Sequence, residues 1–330
     1  MPSKSDNTLA ERVRAGDRRA LAKAITLLES TRDDHERRAR TVLDALLQDT
    51  GNSLRLGISG VPGVGKSTFI EALGLTLIAA GHRVAVLAVD PSSSVNGGSI
   101  LGDKTRMERL AMNDAAYIRP TPSSGTLGGV AERTREAILL CEAANFDIVI
   151  VETVGVGQSE TTVAGMTDLF VLLQLPNAGD DLQAMKKGVM ELADIVVVNK
   201  CDLDPTAAER AESQITGALR ALQASGNPAA EGAPTTPVMR VSARSGEGIE
   251  MFWHHTRQLQ EAQRATGRFA ARRRQQALTW TWDLVRAALL TEFRRHPAVR
   301  AALPDTLSAV TESRLAPAAA ARILLDLFVS

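Results

Sequence analysis

Gly60-Val61-Pro62-Gly63-Val64-Gly65-Lys66-Ser67 fits the spacing G-x-x-x-x-G-K-[ST], with Thr68 directly behind it. The residue types suit phosphate chemistry. Glycines let successive backbone N–H groups turn inward around phosphate oxygens. A helix that opens behind such a loop adds its N-terminal dipole. Lys66 is long enough to reach β- and γ-phosphates, and the Ser67 hydroxyl suits Mg2+. The run follows an expected strand at 54–59 and opens an expected helix at 67–80, the context the motif requires. A glycine-rich turn without a ligand is the plainer reading, and that context weighs against it.

A second constellation names the base. Asn199-Lys200-Cys201-Asp202 follows the apolar run IVVV. A carboxylate at Asp202 accepts two hydrogen bonds from the N1–H and amine of guanine, which adenine cannot supply. Val241-Ser242-Ala243-Arg244 comes later and offers a backbone N–H for the guanine O6. Alone, either stretch is an ordinary strand-end turn. In register behind a phosphate loop they point to GTP rather than ATP.

The acids are harder to assign. Glu152 ends the run FDIVIV and is followed by Thr153-Val154-Gly155, then Gly157 and Gln158. The layout is that of a nucleotide switch, with Glu152 as a strand-end acid for Mg2+ and Gly155 as the hinge whose N–H meets the γ-phosphate. Gln158 stands three residues past Gly155, so no water-orienting role is assigned to it. Asp90 ends RVAVLAV and points toward the phosphates. Asp103, in GGSILGDKTRM, has two open readings: a Mg2+ or phosphate contact in a switch loop, or the cap of a helix over 104–112.

The elements that must position these residues are legible in the texture. Short apolar runs occur at 54–59, 83–89, 146–152, 169–175, 194–199 and 238–242, with helical patterns between them at 67–80, 128–145 and 205–224. Several runs are apolar throughout, as strands buried on both faces of a parallel sheet should be. The alternation predicts an α/β fold with a doubly wound, mostly parallel sheet. Residues 1–50 read as a helical N-terminal extension, 51–246 as the nucleotide domain and 247–330 as a helical arm. The arm serves oligomerisation or simply covers the core. Neither an internal repeat nor a sustained heptad pattern is visible.

Composition bounds the rest. The chain has 330 residues, 38 Lys plus Arg against 38 Asp plus Glu, and only two cysteines. A net charge of zero argues against a nucleic-acid partner. Two distant cysteines give no disulfide framework, which suits a reducing compartment. The N-terminus lacks an apolar signal core and carries early acids, and no run approaches a membrane span. The expectation is a cytoplasmic protein with no membrane partner. Cys201, at the variable place of N-K-x-D, reads as a small apolar filler. His254 and His255 lack partners at metal-ligand spacing, so no metal beyond Mg2+ is expected.

The segments GVPGVGKST, VDPSS, GGSILGDKTRM, RPTPSSGTLGGV, ETVGVGQSE, QLPNAGDDLQAMKKGVMELAD and NKCD together resemble the MeaB/ArgK family of P-loop GTPases. The resemblance covers roughly residues 7 to 330 and is most specific from 54 to 202. It implies a homodimeric metallochaperone GTPase that binds methylmalonyl-CoA mutase, gates adenosylcobalamin loading and protects the mutase's cofactor site. Turnover is then slow alone and raised by the partner. This chain would bind GTP or GDP and Mg2+, and no cobalamin itself.

By position, the resemblance gives Lys66, Asp90, Asp103 and Glu152 catalytic roles and gives Mg2+ to Ser67, Asp90, Asp103 and Glu152. It also makes Gln174, Pro176, Asn177, Gly179, Asp180, Asp181, Lys186 and Lys187 a loop that couples the partner to hydrolysis. Two rivals remain: a GTPase serving a nickel enzyme, against which five scattered histidines weigh, and a kinase linked to lysine/arginine/ornithine transport.

Overall fold

Apolar runs without alternation can be buried only if both faces of their sheet are covered. A computed structural model of the chain has this arrangement. It describes residues 4–30, 32–89, 107–121, 127–153, 159–176, 187–226 and 236–329. Among them, seven strands form one sheet: β1 Leu54–Gly60, β2 Val84–Val89, β3 Ala116–Thr121, β4 Ile148–Thr153, β5 Leu169–Gln174, β6 Ile195–Val198 and β7 Val238–Arg240. Their order is β3-β2-β4-β1-β5-β6-β7, and every pairing is parallel. The fold is the doubly wound α/β fold expected.

The faces sort by residue parity. Val84, Val86, Ile148, Ile150, Val171 and Ile195 look into one core, with Phe69 and Phe252. Ala85, Leu87, Val149, Val151, Leu172 and Val196 look into the other, with Leu21, Ile25 and Cys141. Period-two alternation of side chains makes both faces apolar at once. The first face is covered by α4 (Lys66–Ala79), α5 (Glu108–Ala111) and α10 (Ile249–Ala265). The second carries α1 (Lys4–Arg14), α2 (Arg18–Glu29), α3 (Asp33–Leu46), α6 (Leu127–Ala143), α7 (Ser159–Ala164), α8 (Lys187–Leu192) and α9 (Pro205–Gly226). Asp17 caps α2 by accepting the backbone N–H groups of Arg19 and Ala20.

The sequence pattern predicts six strands and misses β3. Ala116–Thr121 contains Arg119 and Pro120, which interrupt the apolar run that marks the other strands. The strand lies at the edge of the sheet, where a residue without an N–H leaves no ladder bond unmade; Pro120 pairs in register with Ala88. Arg119 forms an ion pair with Glu29 of α2, tying the N-terminal helices to that edge.

The amino-terminal ends of the strands are held by charge, buried at Asp168, partly buried at Asp194 and exposed at Asp147. Three aspartates precede strands in the same way. Asp147 accepts the N–H of Arg83 at 2.7 Å, Asp168 that of Arg55 at 2.8 Å, and Asp194 that of Phe170 at 2.8 Å. The first turns of α11 (Arg268–Arg295) then reach back. Arg272 meets both oxygens of Asp194 at 2.9 and 3.0 Å. Arg273 meets both oxygens of Asp168 at 2.7 Å and the carbonyls of Gly51 and Ser53 at 2.6 and 2.7 Å. Burial would raise the carboxyl of Glu142, but the fork of Arg55, the Ser53 hydroxyl and the Gly51 N–H together bring it below its usual range.

Residues Arg274–Ser330 form a second compact unit. There α12 (Pro297–Thr311) and α13 (Pro317–Val329) pack together, with Val299, Ala320 and Leu324 buried. Phe293 meets Phe328 edge to face, ring centres 5.4 Å apart. Among the described residues no helix is long and apolar enough to cross a membrane.

Burial pushes the carboxyl of Glu136 on α6 up to about 7; Glu132 adds to the rise, while Arg133, 3.3 Å away, and Arg40 oppose it. The folded state therefore holds this proton more tightly than the unfolded chain does. Stability should fall as pH rises from about 4.5 to about 7, by up to about 3 kcal/mol. Urea unfolding of wild type and Glu136→Gln across that range checks this: the variant should lack the decline.

Candidate functional site

The loop after β1 emerges at the carboxyl ends of the strands, where β1 sits between β4 and β5. In open α/β sheets that crevice is where ligands bind. The sheet therefore places the expected phosphate loop where a phosphate would be met. Gly65 stands before α4 with φ +94°, a left-handed backbone that favours glycine. A Cβ there would lie 2.8 Å from Asn199 Nδ2, so side-chain contact as well as backbone angle demands glycine. Val64 is fully buried beneath the loop, while Pro62, Gly63 and Thr68 face outward.

Lys66 Nζ donates to the carbonyl oxygens of Gly60, at 2.8 Å, and Val61, at 3.4 Å. Its ammonium thus lies inside the loop. Ser67, in the first turn of α4, donates from Oγ to Glu152 Oε1 at 3.4 Å. Glu152 is the penultimate residue of β4 and is 3% exposed. Beside it, Thr153 donates to the Ser59 hydroxyl at 2.9 Å, joining the ends of β4 and β1. Two oxygen donors converge at the loop's edge. That set suits Mg2+, which takes one or two protein oxygens and fills its octahedron with water and phosphate. Among the described residues no group of three or more His, Cys, Asp or Glu is placed to hold a metal.

The base-reading residues reach the loop through one side chain. Asn199 is buried; its Nδ2 donates to Val64 O at 2.8 Å and its Oδ1 accepts the N–H of Ala243 at 3.0 Å. Its own N–H donates to Gln174 O at 2.9 Å. Asn199 therefore joins the phosphate loop, the turn Ser242–Arg244 and the end of β5. Lys200 takes φ +62° and donates from Nζ to Gly63 O at 2.8 Å. Asp202 is exposed and borders an outer groove of about 520 Å3 with Glu212, Arg240 and His255. Ser242 and Ala243 are buried, and Arg244 is exposed.

The remaining expected residues divide. Gln174 is buried at the end of β5, and Pro176 lies in the turn after it. Asp90, Asp103, Gly155, Gln158, Asn177, Gly179, Asp180, Asp181 and Lys186 lie outside the described residues. Lys187 opens α8. Burial, with Glu247 and Asp202 adding, raises the Cys201 thiol above its ordinary value. A thiol held neutral is a poor nucleophile, in keeping with a filler. The ring of His255 bonds the Met251 carbonyl of its own helix at 3.0 Å, and His254 is exposed.

Sequence reasoning assigned Asn199 to the base and missed its tie to Val64. It also missed Glu71, which lies one helical turn beyond Ser67 and accepts backbone N–H groups from α5. A lone glutamate on a helix gives no signal of such a role.

Residues 21–298 match the family model of the methylmalonyl Co-A mutase-associated GTPase MeaB. A Caulobacter vibrioides protein that bears a GTPase name is 52% identical over 328 residues, 99% of each chain. The Mus musculus methylmalonic aciduria type A homolog, mitochondrial, is 46% identical over 326 residues, spanning 96% of this chain and 77% of that protein. A crystal structure of LAO/AO transport system kinase matches with a TM-score of 0.77 at 37% identity, covering 100% of this chain and 99% of the other.

Proposed function

Because the chain belongs to the MeaB family of methylmalonyl Co-A mutase-associated GTPases, we propose that its GTP hydrolysis serves a B12-dependent acyl-CoA mutase, with methylmalonyl-CoA mutase the first candidate. In this reading the GTPase gates adenosylcobalamin loading and protects the mutase's cofactor site. The observation that carries the site assignment is the double tie of Asn199 to Val64 and Ala243. One buried side chain sets the distance between a phosphate cradle and a base-reading turn.

The chemistry is phosphoryl transfer to water. Water attacks the γ-phosphorus, the bond from that phosphorus to the β–γ bridging oxygen breaks, and GDP leaves with the electron pair. Backbone N–H groups of Gly60–Thr68 hold the phosphates, and Lys66 offsets charge that develops on the leaving oxygen. Ser67 and Glu152, with Asp90 and Asp103, would hold Mg2+, which would supply positive charge against the phosphates. Gly155 offers its N–H to the γ-phosphate. Asn199, Lys200 and Asp202 hold guanine, with Ser242, Ala243 and Arg244 closing over its edge. The stretch from Gln174 and Pro176 through Asn177, Gly179, Asp180 and Asp181 to Lys186 and Lys187 carries the partner's influence to the site.

A homodimer belongs to the same reading. Leu278, Trp282, Val285 and Leu289 are exposed along α11 at spacings of four, three and four residues. That spacing forms one apolar stripe on a helix, which a second copy would cover.

The test is turnover of purified chain with and without purified methylmalonyl-CoA mutase, and retention of that mutase on the chain loaded with a non-hydrolysable GTP analogue. Phosphate release should rise on the order of tenfold or more with the mutase, as for a site completed by its partner. No retention and no stimulation would sink the mutase assignment. A second reading follows from the transport-kinase name of the solved relative. Labelled phosphate from GTP appearing on a protein instead of in solution would favour it.

A further inference from the structure

Strands β1 and β4 carry a side-chain tie where their ladder stops. Their register runs from Leu54 opposite Ile148 to Ile58 opposite Glu152. One residue further along each strand, Thr153 Oγ1 donates to Ser59 Oγ at 2.9 Å. The two residues are 1% and 2% exposed, so water has little access to replace the bond. Ser59 is well anchored. On its other side β1 pairs with β5 as far as Gly60 opposite Leu173, and a Cβ at Gly60 would lie 2.6 Å from Leu173 O. The carbonyl of the same Gly60 accepts from Lys66 Nζ at 2.8 Å. The strand that enters the phosphate loop thus packs directly on β5, and Thr153 fastens β4 to it from the opposite side.

Alternation decides what this tie can do. Glu152 shares the parity of Ile148 and Ile150, which face the core beneath α4. Thr153 shares that of Val149 and Val151, which face the other core. Successive side chains of a strand point to opposite faces, so the hydroxyl pair stands on the face away from Ser67. It acts on the site only through the backbone that Glu152 and Thr153 share. Glu152 Oε1 accepts from Ser67 Oγ at 3.4 Å, a long contact that a small shift of β4 would break.

We infer that Thr153 is a positioning residue for magnesium-dependent hydrolysis: its bond to Ser59 holds the end of β4 in register with the strand that enters the phosphate loop, and so keeps Glu152 beside Ser67. The inference rests on the reading that Ser67 and Glu152 serve Mg2+. Removal of the bond should therefore act on Mg2+ and leave the phosphate loop's grip on GDP alone.

The test measures GDP affinity with and without Mg2+, GTP turnover against Mg2+ concentration, and thermal unfolding. The proteins are wild type, Thr153→Val, Thr153→Ser, Ser59→Ala and the double variant Ser59→Ala/Thr153→Val. Valine keeps the branched shape and loses only the hydroxyl. It should raise the half-saturating Mg2+ concentration about fivefold, the equivalent of one hydrogen bond. GDP affinity without Mg2+ should stay within about twofold of wild type, well below the worth of that bond. Serine keeps the hydroxyl and should hold the Mg2+ requirement within about twofold of wild type. Ser59→Ala breaks the same bond from the other strand without adding an atom, and it carries the test if the valine variant does not fold. The double variant should shift no further than either single one, because both remove one contact. An unchanged Mg2+ requirement in a folded variant lacking the bond, equal losses of GDP and Mg2+ binding, failure of serine to hold the wild-type requirement, or additive shifts in the double variant would each overturn the inference. Glu152→Gln probes the reading beneath it: GDP binding and turnover as dependent on Mg2+ in that variant as in wild type would overturn the magnesium role of Glu152 itself.

Discussion

Lys66→Ala should lose GTP turnover by about a thousandfold or more while remaining folded. The side chain already lies within the loop, with Nζ 2.8 Å from Gly60 O and 3.4 Å from Val61 O. A phosphate bound in that loop would meet a full positive charge where negative charge grows. Removing a single neutral donor from such a site costs about 10²–10³ in rate, and an ammonium in a partly dehydrated loop should cost more. The fold should not suffer. Lys66 stands at the first position of α4, where alanine is at least as good a helix former. The check is single-turnover phosphate release beside thermal unfolding. Turnover unchanged in a folded variant would remove the phosphate-site assignment.

Arg273→Met should cost about 3–5 kcal/mol of stability, the range for breaking a buried ion pair from one side. Arg273 forks onto Asp168, whose side chain is 1% exposed, and also holds the carbonyls of Gly51 and Ser53. Methionine would fill some of the volume and leave a buried carboxylate with, among the described residues, only the Arg55 N–H. Burial alone would lower the Arg273 pKa; the Asp168 carboxylate and, less directly, Glu142 raise it, so the guanidinium stays charged. Lysine should not rescue, because an ammonium cannot match a carboxylate with two parallel bonds. Replacing the neighbouring exposed Arg274 by methionine should change stability by no more than about 0.5 kcal/mol. Urea midpoints at constant slope decide the matter. A loss for Arg273→Met no larger than for Arg274→Met would mean that water replaces the guanidinium.

These two residues differ in how far the sequence reveals them. Lys66 is marked by the eight-residue motif that contains it, because a phosphate loop is a local device. One short turn supplies the amides, the charge and the hydroxyl. Arg273 sits in an arginine-rich helix start with nothing to mark it. Its partners lie 105 residues away at Asp168 and 222 away at Gly51. Only the closing of the sheet brings them together. A weak signal was present in retrospect: Asp147, Asp168 and Asp194 each stand immediately before an apolar run. Repetition suggests a common duty, but not that Arg55, Arg272 and Arg273 are concerned in it.

The same division explains β3. Pattern reading weighs residues one segment at a time, and Arg119 with Pro120 fails as a central strand. Edge position, which excuses the proline, is a property of strand order. Asn199 gives the subtlest case. Its place in N-K-C-D is plain from the chain, and so is the expectation of a role near guanine. That its amide also fastens Val64 to Ala243, 135 and 44 residues away, depends on β1, β5, β6 and β7 following one another across the sheet.

By itself, the sequence determined the α/β class and the two-faced burial of the strands, and it carried the expectation of a phosphate loop and of guanine as the base. Each is written in contiguous residues, through side-chain period, backbone freedom or a short donor–acceptor set. Tertiary structure alone decided the edge strand, the Ser67–Glu152 approach, the hold of Glu71 on α5 and the buried arginine clamp. Those depend on distances between segments far apart in the chain, which close only when apolar burial on both faces of the sheet offsets the entropy of bringing them together.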